Sequence, residues 1–153
     1  YRIDQNCIAQ CDSFQENGYT KEEMKVANET RKILEIPDLL ISATAVRVPV
    51  RRGHSEAVSI EFTRPISVGE VREILGSSAG VVLVDEPGKG AVPTALESEG
   101  HDEVYVGRIR EDLAVPGIGI NLWVVSDNLR KGAATNAVQI LDSVVSLCAC
   151  AAG

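Results

Sequence analysis

The sequence predicts an α+β fold in which helices pack on one face of a mixed or mostly antiparallel sheet. Several segments alternate apolar and polar residues as half-buried strands do. Most of these segments follow one another without a helix between them, which favours antiparallel pairing. Segments with helical patterns open, divide and close the chain, so the predicted order is α-β-β-α-β-β-β-α.

The helices are predicted from their capping signals and from their apolar period. TKEEMKVANETRKIL at 20–34 begins with a capping box and ends before Pro37. SVGEVREIL at 67–75 begins with the same capping pattern. The last helix is expected from about 129 to 148, because its apolar residues recur along one stripe.

Strands are predicted where β-formers alternate with polar residues or form short apolar runs. The predicted strands are LLISATAVRVPV at 39–50, EAVSIEF at 56–62, VVLVDE at 81–86, EVYVGRIRED at 103–112 and GINLWVVSD at 119–127. PGKGAVPTALESEG, at 87–100, is expected as one long loop. The glycine-containing runs do not open a helix, so none is a dinucleotide-binding turn.

Length and charge limit the function classes. The 153 residues are predicted to form a single domain, 1–153, which needs neither a disulfide nor a metal to fold. A net charge of −7 disfavours nucleic-acid binding, although a local pocket for a small anion is compatible with it. The apolar tail at 144–153 is too short to cross a bilayer, and no targeting segment is visible. With two histidines and no C-x-x-C pair, a zinc site is not expected.

Arg47 and His54 are the first pair of candidate functional residues. Arg47 interrupts a predicted strand of Ala, Val and Pro, and His54 follows the Gly53 turn at the mouth of the same predicted hairpin. A guanidinium binds a carboxylate bidentately, and a neighbouring histidine can move a proton near neutral pH. The alternative is structural, with Arg47 paired to an internal acid and His54 exposed in a turn.

Two further sets of candidates have equally plain structural alternatives. Glu22 and Lys25 share one face of the first helix and suit the ammonium and anion of a small ligand, or they form a solvated ion pair. Asp127 and Asn128 lie where a buried strand ends and a helix begins, which is a frequent position for ligand contacts. Asp127 is otherwise explained as a helix N-cap.

None of the four cysteines is predicted to act as a nucleophile. Cys7 follows Asn6 but has acids, not a histidine, as sequence neighbours, so nothing nearby favours its thiolate. All four are expected to be free thiols in a cytoplasmic protein.

Four segments of the chain together resemble aspartate-semialdehyde dehydrogenase. These segments are YTKEEMKVANETRKIL, SATAVRVPVRRGHSEAVSIEF, VYVGRIRED and LWVVSDNLRKGAATNAVQI, and the pattern T-x-V-R-V-P-V-x-x-G-H-S-E is the most specific part. The resemblance implies the C-terminal catalytic and dimerisation portion of that enzyme, with the fold of the C-terminal domain of glyceraldehyde-phosphate-dehydrogenase-like enzymes. It also implies a cytoplasmic homodimer.

The family reduces L-aspartyl-4-phosphate to aspartate semialdehyde with NADPH, in lysine, threonine and methionine biosynthesis. By resemblance, His54 is the acid/base residue that assists a nucleophilic cysteine, and Arg47 binds the substrate α-carboxylate. Glu22 then meets the substrate amino group, Lys25 lies in the phosphate pocket, and Asn128 approaches the nicotinamide of NADP.

The chain departs from the family in lacking the glycine-rich cofactor turn and the N-C-[ST] nucleophile, which lie upstream of the matched helix. NADP is therefore expected to bind mainly to an absent N-terminal domain, against which the last helix (about 129–148) packs. The chain alone is expected to be inactive. The alternative is a non-catalytic dimerisation module derived from the family. Acetylglutamyl-phosphate reductase shares the reaction type, but its substrate has no free amine for Glu22.

Overall fold

A computed structural model describes residues 1–151 of the chain, and the side chains of residues 1–149. The chain divides into two compact units, Tyr1–Val50 and Arg51–Gly153. The elements are α1 (Lys21–Leu34), β1 (His54–Glu61), α2 (Val68–Ser77), β2 (Val81–Leu83), α3 (Ala95–Ser98), β3 (Val104–Glu111), β4 (Gly119–Ser126) and α4 (Thr135–Ala151).

The first unit is built around α1. The predicted capping box is present, because the Thr20 hydroxyl accepts from the Glu23 amide and the Glu23 carboxylate accepts from the Thr20 amide. The helix ends at Glu35, whose backbone is left-handed.

The strand predicted at 39–50 is wrong, and with it the predicted hairpin. Within this segment only Arg47 makes a β-bridge, to Ile8, through paired backbone hydrogen bonds of 2.9 and 3.0 Å. A strand needs a neighbour along its length, and Pro49 has no amide to donate. The alternating Val46, Val48 and Val50 remain 43–45% exposed, so alternation alone did not make them a buried face.

The second unit contains a four-stranded sheet in the order β1-β4-β3-β2. β4 pairs antiparallel with β1 and β3, and β2 pairs parallel with β3. The predicted α+β class with a mixed, mostly antiparallel sheet is confirmed. Val71 of α2 packs against Val106, Ile109, Ile120 and Leu122 of the sheet to form the core.

The second face of β4 is also partly covered. Val125 has no exposed surface, and the Trp123 indole donates to the Pro93 carbonyl at 3.2 Å. Pro93 belongs to the segment 87–100, which was predicted to be one long loop but contains helical structure. The segment includes a 3₁₀ turn at Pro87–Lys89 and the short α3.

The last helix differs from the single helix predicted at 129–148. A π-helical turn, Arg130–Ala134, precedes α4. Arg130 and Thr135, at the two ends of this turn, bind the same carboxylate of Asp102, with Arg130 Nε at 2.6 Å, Arg130 Nη2 at 2.9 Å and Thr135 Oγ1 at 2.6 Å. The Arg130 and Thr135 hydrogen bonds hold the pKa of Asp102 at about 2.

We predict that Gly107→Ala destabilises the second unit by about 1–3 kcal/mol or more, the usual cost of overpacking. A Cβ on Gly107 would lie 2.0 Å from the Val84 carbonyl oxygen and 2.7 Å from Pro93 Cδ, so backbone must move. Urea unfolding measures the loss. Gly88→Ala is the control, because a Cβ at Gly88 meets nothing within 4 Å. Equal urea midpoints for the two variants would contradict the prediction.

We also predict that the Asp102 ion pair contributes to stability in a pH-dependent way. Its pKa of about 2 in the folded chain is below the ordinary 3.8, so its contribution is present above about pH 4 and is lost as the pH falls towards 2. The stability difference between the wild type and Asp102→Asn should therefore shrink over that range in urea titrations. Asp142→Asn, which removes an exposed carboxylate of α4, is the control. If the stability difference between the wild type and Asp102→Asn does not change with pH, the prediction is wrong.

Candidate functional site

Glu22 and Lys25 lie on the same face of α1, as predicted. Lys25 Nζ is 3.4 Å from Glu22 Oε1, and the two side chains are 54% and 43% exposed. Exposed pairs of this kind contribute little to stability. A charged ligand can therefore replace the pair at small cost, so the contact is compatible with both the structural and the ligand-binding interpretation.

Glu23, the neighbour of Glu22, connects α1 to the segment that carries Arg47. It is 7% exposed, and its carboxylate accepts from the amides of Thr20 at 2.7 Å and Ala45 at 2.8 Å. These two backbone hydrogen bonds hold the pKa of Glu23 below its ordinary value. The capping pattern predicted the first bond. The second joins residues 22 positions apart and had no signal in the sequence.

Arg47 is exposed and is held through its backbone by the bridge to Ile8. The sequence pattern placed Arg47 within a strand, and the structure shows no strand there beyond the single bridge. Its segment is nevertheless fixed on two sides, by Ile8 at residue 47 and by Glu23 at residue 45. Arg47 belongs to the first unit and His54 to the second. That Arg47 and His54 act on the same substrate, as the family resemblance implies, therefore stays a prediction.

His54 is the first residue of β1 and is paired with Ser126 of β4. Its side chain is exposed. Gly53 has a positive φ of 94°, and its amide donates to Asn128 Oδ1 at 3.0 Å. The structure thus brings one predicted site residue, Asn128, to the backbone directly before another, His54.

Asp127 has a larger role than the predicted N-cap. Its Oδ1 accepts from the amides of Leu129 at 2.9 Å and Arg130 at 3.3 Å, but the N-cap position of the helical segment that follows is Leu129. The carboxylate also binds Arg52, with Oδ1 at 3.1 Å from Nε and Oδ2 at 2.8 Å from Nη2, and Oδ2 accepts from the Gly100 amide at 2.8 Å. The side chain is fully buried.

The pKa of Asp127 reflects two opposed effects. Burial of the carboxylate acts to raise its pKa, and it is the largest single effect. The amides of Gly100, Leu129 and Arg130, together with the positive charge of Arg52, outweigh burial and hold the pKa below its ordinary value. The group is therefore an anion that binds its neighbours, and its acceptor positions are already used.

Several other expectations concern ligands and cysteines. Cys7, Cys11 and Cys148 are free thiols, while the side chain of Cys150 lies outside the described residues. Among the residues described, no group of His, Cys, Asp and Glu is arranged to hold a metal ion. No helix within 1–151 has both the length and the apolar character needed to span a membrane.

Comparisons with known proteins agree on one family. The family described as "Semialdehyde dehydrogenase, dimerisation domain" matches residues 1–131. The chain is 51% identical over 138 residues to the aspartate-semialdehyde dehydrogenase of Legionella pneumophila, covering 90% of this chain and 40% of that protein. For the enzyme of the same name from Bacillus subtilis the identity is 49% over 148 residues, covering 96% and 42%.

Solved structures give the same result. Aspartate semialdehyde dehydrogenase II from Vibrio cholerae, complexed with ASA, matches 92% of this chain and 41% of its own, at 48% identity and a TM-score of 0.87. The Candida albicans enzyme with NADP matches 82% and 40%, at 29% identity and a TM-score of 0.65. The chain spans about two-fifths of the length of the curated relatives that it matches. Because the matched region covers residues 1–131, the chain belongs to the semialdehyde dehydrogenase dimerisation-domain family.

Proposed function

We propose that this chain is the substrate-binding, acid/base and dimerising portion of a cytoplasmic, NADPH-dependent aspartate-semialdehyde dehydrogenase. The complete enzyme would convert L-aspartyl-4-phosphate to L-aspartate 4-semialdehyde and phosphate, in lysine, threonine and methionine biosynthesis. The observation that carries the proposal is the identity of 49–51% to proteins of that name over at least 90% of this chain. All five assigned residues lie within the matched region, 1–131.

In this proposal the charged residues of the first unit bind the substrate. The Arg47 guanidinium binds the α-carboxylate through two parallel hydrogen bonds, a geometry that lysine does not offer. Glu22 accepts from the α-ammonium group and Lys25 binds the phosphate. The exposed Lys25–Glu22 pair supports this assignment, because two opposite charges that are weakly held together can separate to bind opposite charges of a ligand.

His54 is proposed as the acid/base residue. An exposed imidazole at the start of a strand is free to accept the proton of an attacking thiol and later to donate it. The thiol is proposed to come from a part of the enzyme outside this chain, and the chain alone is proposed to be inactive. Gly53 and Asn128 restrain the backbone that carries His54, which suits a group that must be held in one place.

Asn128 is the residue proposed to approach NADP. Its Oδ1 already accepts from Gly53, so its Nδ2 is the end that can donate to a carboxamide oxygen. The primary amide therefore fits a nicotinamide as a single contact. NADPH, when bound, supplies the hydride. We assign the rest of its binding to an N-terminal domain of the complete enzyme, since this chain spans about two-fifths of the length of its curated relatives.

The last helix is proposed to pack against that dinucleotide-binding domain. α4 begins after the matched region, which ends at residue 131. Its apolar residues are exposed, including Val138, Leu141 and Val144 at 57%, 60% and 49%. A helix with such a stripe normally buries it against another element.

A non-catalytic dimerisation module is the second candidate function. It is favoured by the description of the matched region of the semialdehyde dehydrogenase as a dimerisation domain. The dehydrogenase proposal predicts that substitutions of Arg47 and His54 change specific kinetic constants of the complete enzyme. A dimerisation module predicts no such changes.

We predict that in the complete enzyme Arg47→Lys mainly raises KM for aspartate semialdehyde, because an ammonium keeps the charge but loses the bidentate contact.

His54→Gln should mainly lower kcat of the complete enzyme, by roughly 10²–10⁴-fold, because the acid/base group is lost. Steady-state rates of NADP reduction with aspartate semialdehyde and phosphate measure both. Arg51→Lys, at an exposed neighbouring arginine, is the control and should leave both constants unchanged. Wild-type turnover in His54→Gln would refute its assigned role.

We predict that the chain forms a homodimer. The prediction rests on the matched family, which is described as a dimerisation domain. The apolar residues of β4 do not provide the surface, because Ile120, Leu122 and Val125 are 1%, 8% and 0% exposed and are already buried within the chain. Sedimentation equilibrium at micromolar concentration should give twice the mass of 16.4 kDa. A strict monomer would contradict the assignment of a dimerising surface.

A further inference from the structure

We infer that Asp127 is a positioning residue of the proposed active site, which sets His54 and Asn128 relative to each other. The inference rests on the proposed function, because it concerns the roles of His54 and Asn128. It starts from a feature that those roles do not explain, namely a buried carboxylate that binds backbone and side-chain donors from three separate segments of the second unit.

Three consecutive residues, Arg52, Gly53 and His54, are each tied to the end of β4. The Arg52 guanidinium binds the Asp127 carboxylate, and the Gly53 amide donates to Asn128 Oδ1. His54 pairs with Ser126 in the β1–β4 register. The residue proposed to transfer a proton is therefore attached to the turn that carries the residue proposed to meet the nicotinamide.

The turn at Gly53 leaves little freedom for adjustment. Its φ of +94° is unfavourable for other residues, and a Cβ there would lie 3.2 Å from the Ser126 carbonyl oxygen. On the other side, the amides of Leu129 and Arg130 bind Asp127 Oδ1 and fix the chain directly after Asn128. Asn128 is thus followed directly by Leu129, which binds Asp127, and His54 lies two residues after Arg52, which binds the same carboxylate.

Asp127 is not itself suited to touch the substrate or to transfer a proton. Four hydrogen bonds and the second Arg52 contact already occupy its two oxygens. Its side chain has no exposed surface. A group that is saturated and buried acts through the residues that it holds. A displacement of about 1 Å of a reacting group is enough to slow catalysis by about 10²-fold.

Asp127→Asn tests the inference in the complete enzyme. The substitution replaces one carboxylate oxygen by an amide nitrogen that faces donors only, so part of the network must open. We expect kcat to fall by roughly 10–100-fold, with a smaller change in KM for aspartate semialdehyde, which depends on Arg47. Because the loss acts through His54, the double variant Asp127→Asn/His54→Gln should be little slower than His54→Gln alone.

Asp85→Asn is the matched control. Asp85 is also almost fully buried, with its side chain 2% exposed, and it pairs with Arg72 at 2.7 Å and accepts from the Ile109 amide at 3.3 Å. It makes none of the contacts to residues 52–54. A general loss of stability should affect both variants, whereas a loss of positioning should appear only at Asp127. Arg52→Gln is the milder second variant, since it removes the ion pair but keeps the amide hydrogen bonds of Asp127.

An NMR measurement separates this inference from the proposed function. Asp127→Asn, or Arg52→Gln if the first variant does not fold, should shift the amide resonances of Gly53 and His54, and Asp85→Asn should not. If the wild-type enzyme has no aspartate-semialdehyde dehydrogenase activity, the proposed function is wrong, and the resonances still report whether Asp127 holds the turn. Unchanged resonances, additive kinetic losses, or an equal loss of kcat in Asp85→Asn would each overturn the inference.

Discussion

The second unit depends on one constraint, the need to satisfy a carboxylate that is fully buried at the end of β4. An unpaired charge in such a position is strongly destabilising, so the surrounding chain has to supply donors. Asp127 obtains them from Arg52, Gly100 and the first turn after β4. Satisfying this single group therefore fixes the entry to β1, the approach to β3 and the start of the last helix.

The first unit uses the same chemistry on a smaller scale. Glu23 caps α1 with one carboxylate oxygen and holds the Ala45 amide with the other. In both units, a buried carboxylate that is not itself assigned to the substrate stabilises a segment that carries an assigned residue. The assigned residues Glu22, Lys25, Arg47 and His54 are by contrast exposed or weakly paired. This arrangement suits a binding site, because the buried carboxylates keep the backbone fixed while the exposed side chains exchange bound water for ligand.

A third carboxylate, Asp102, determines the local form of the last helix. Arg130 and Thr135 both bind it, and the backbone between them adopts a π-helical turn instead of continuing as an α-helix. π-turns are rare and occur frequently at functional sites. Here the turn follows Asn128 closely, so Asp102 and Asp127 together define the backbone on the C-terminal side of the residue proposed to meet NADP.

Local sequence patterns determined the starts of α1 and α2, the alternation in β1 and the fold class, because capping boxes and periodicity act between residues that are close in the chain. Val58 and Ile60 are half-buried in β1 while Ser59 is exposed, as their alternation predicted. The same kind of pattern failed at 39–50, where the valines had no neighbouring strand to pair with. Family resemblance supplied the candidate site residues. Only the tertiary structure decided how they are held, since the contacts of Arg52 with Asp127 and of Gly53 with Asn128 each join residues 75 positions apart, and no local pattern encodes a pairing over that distance.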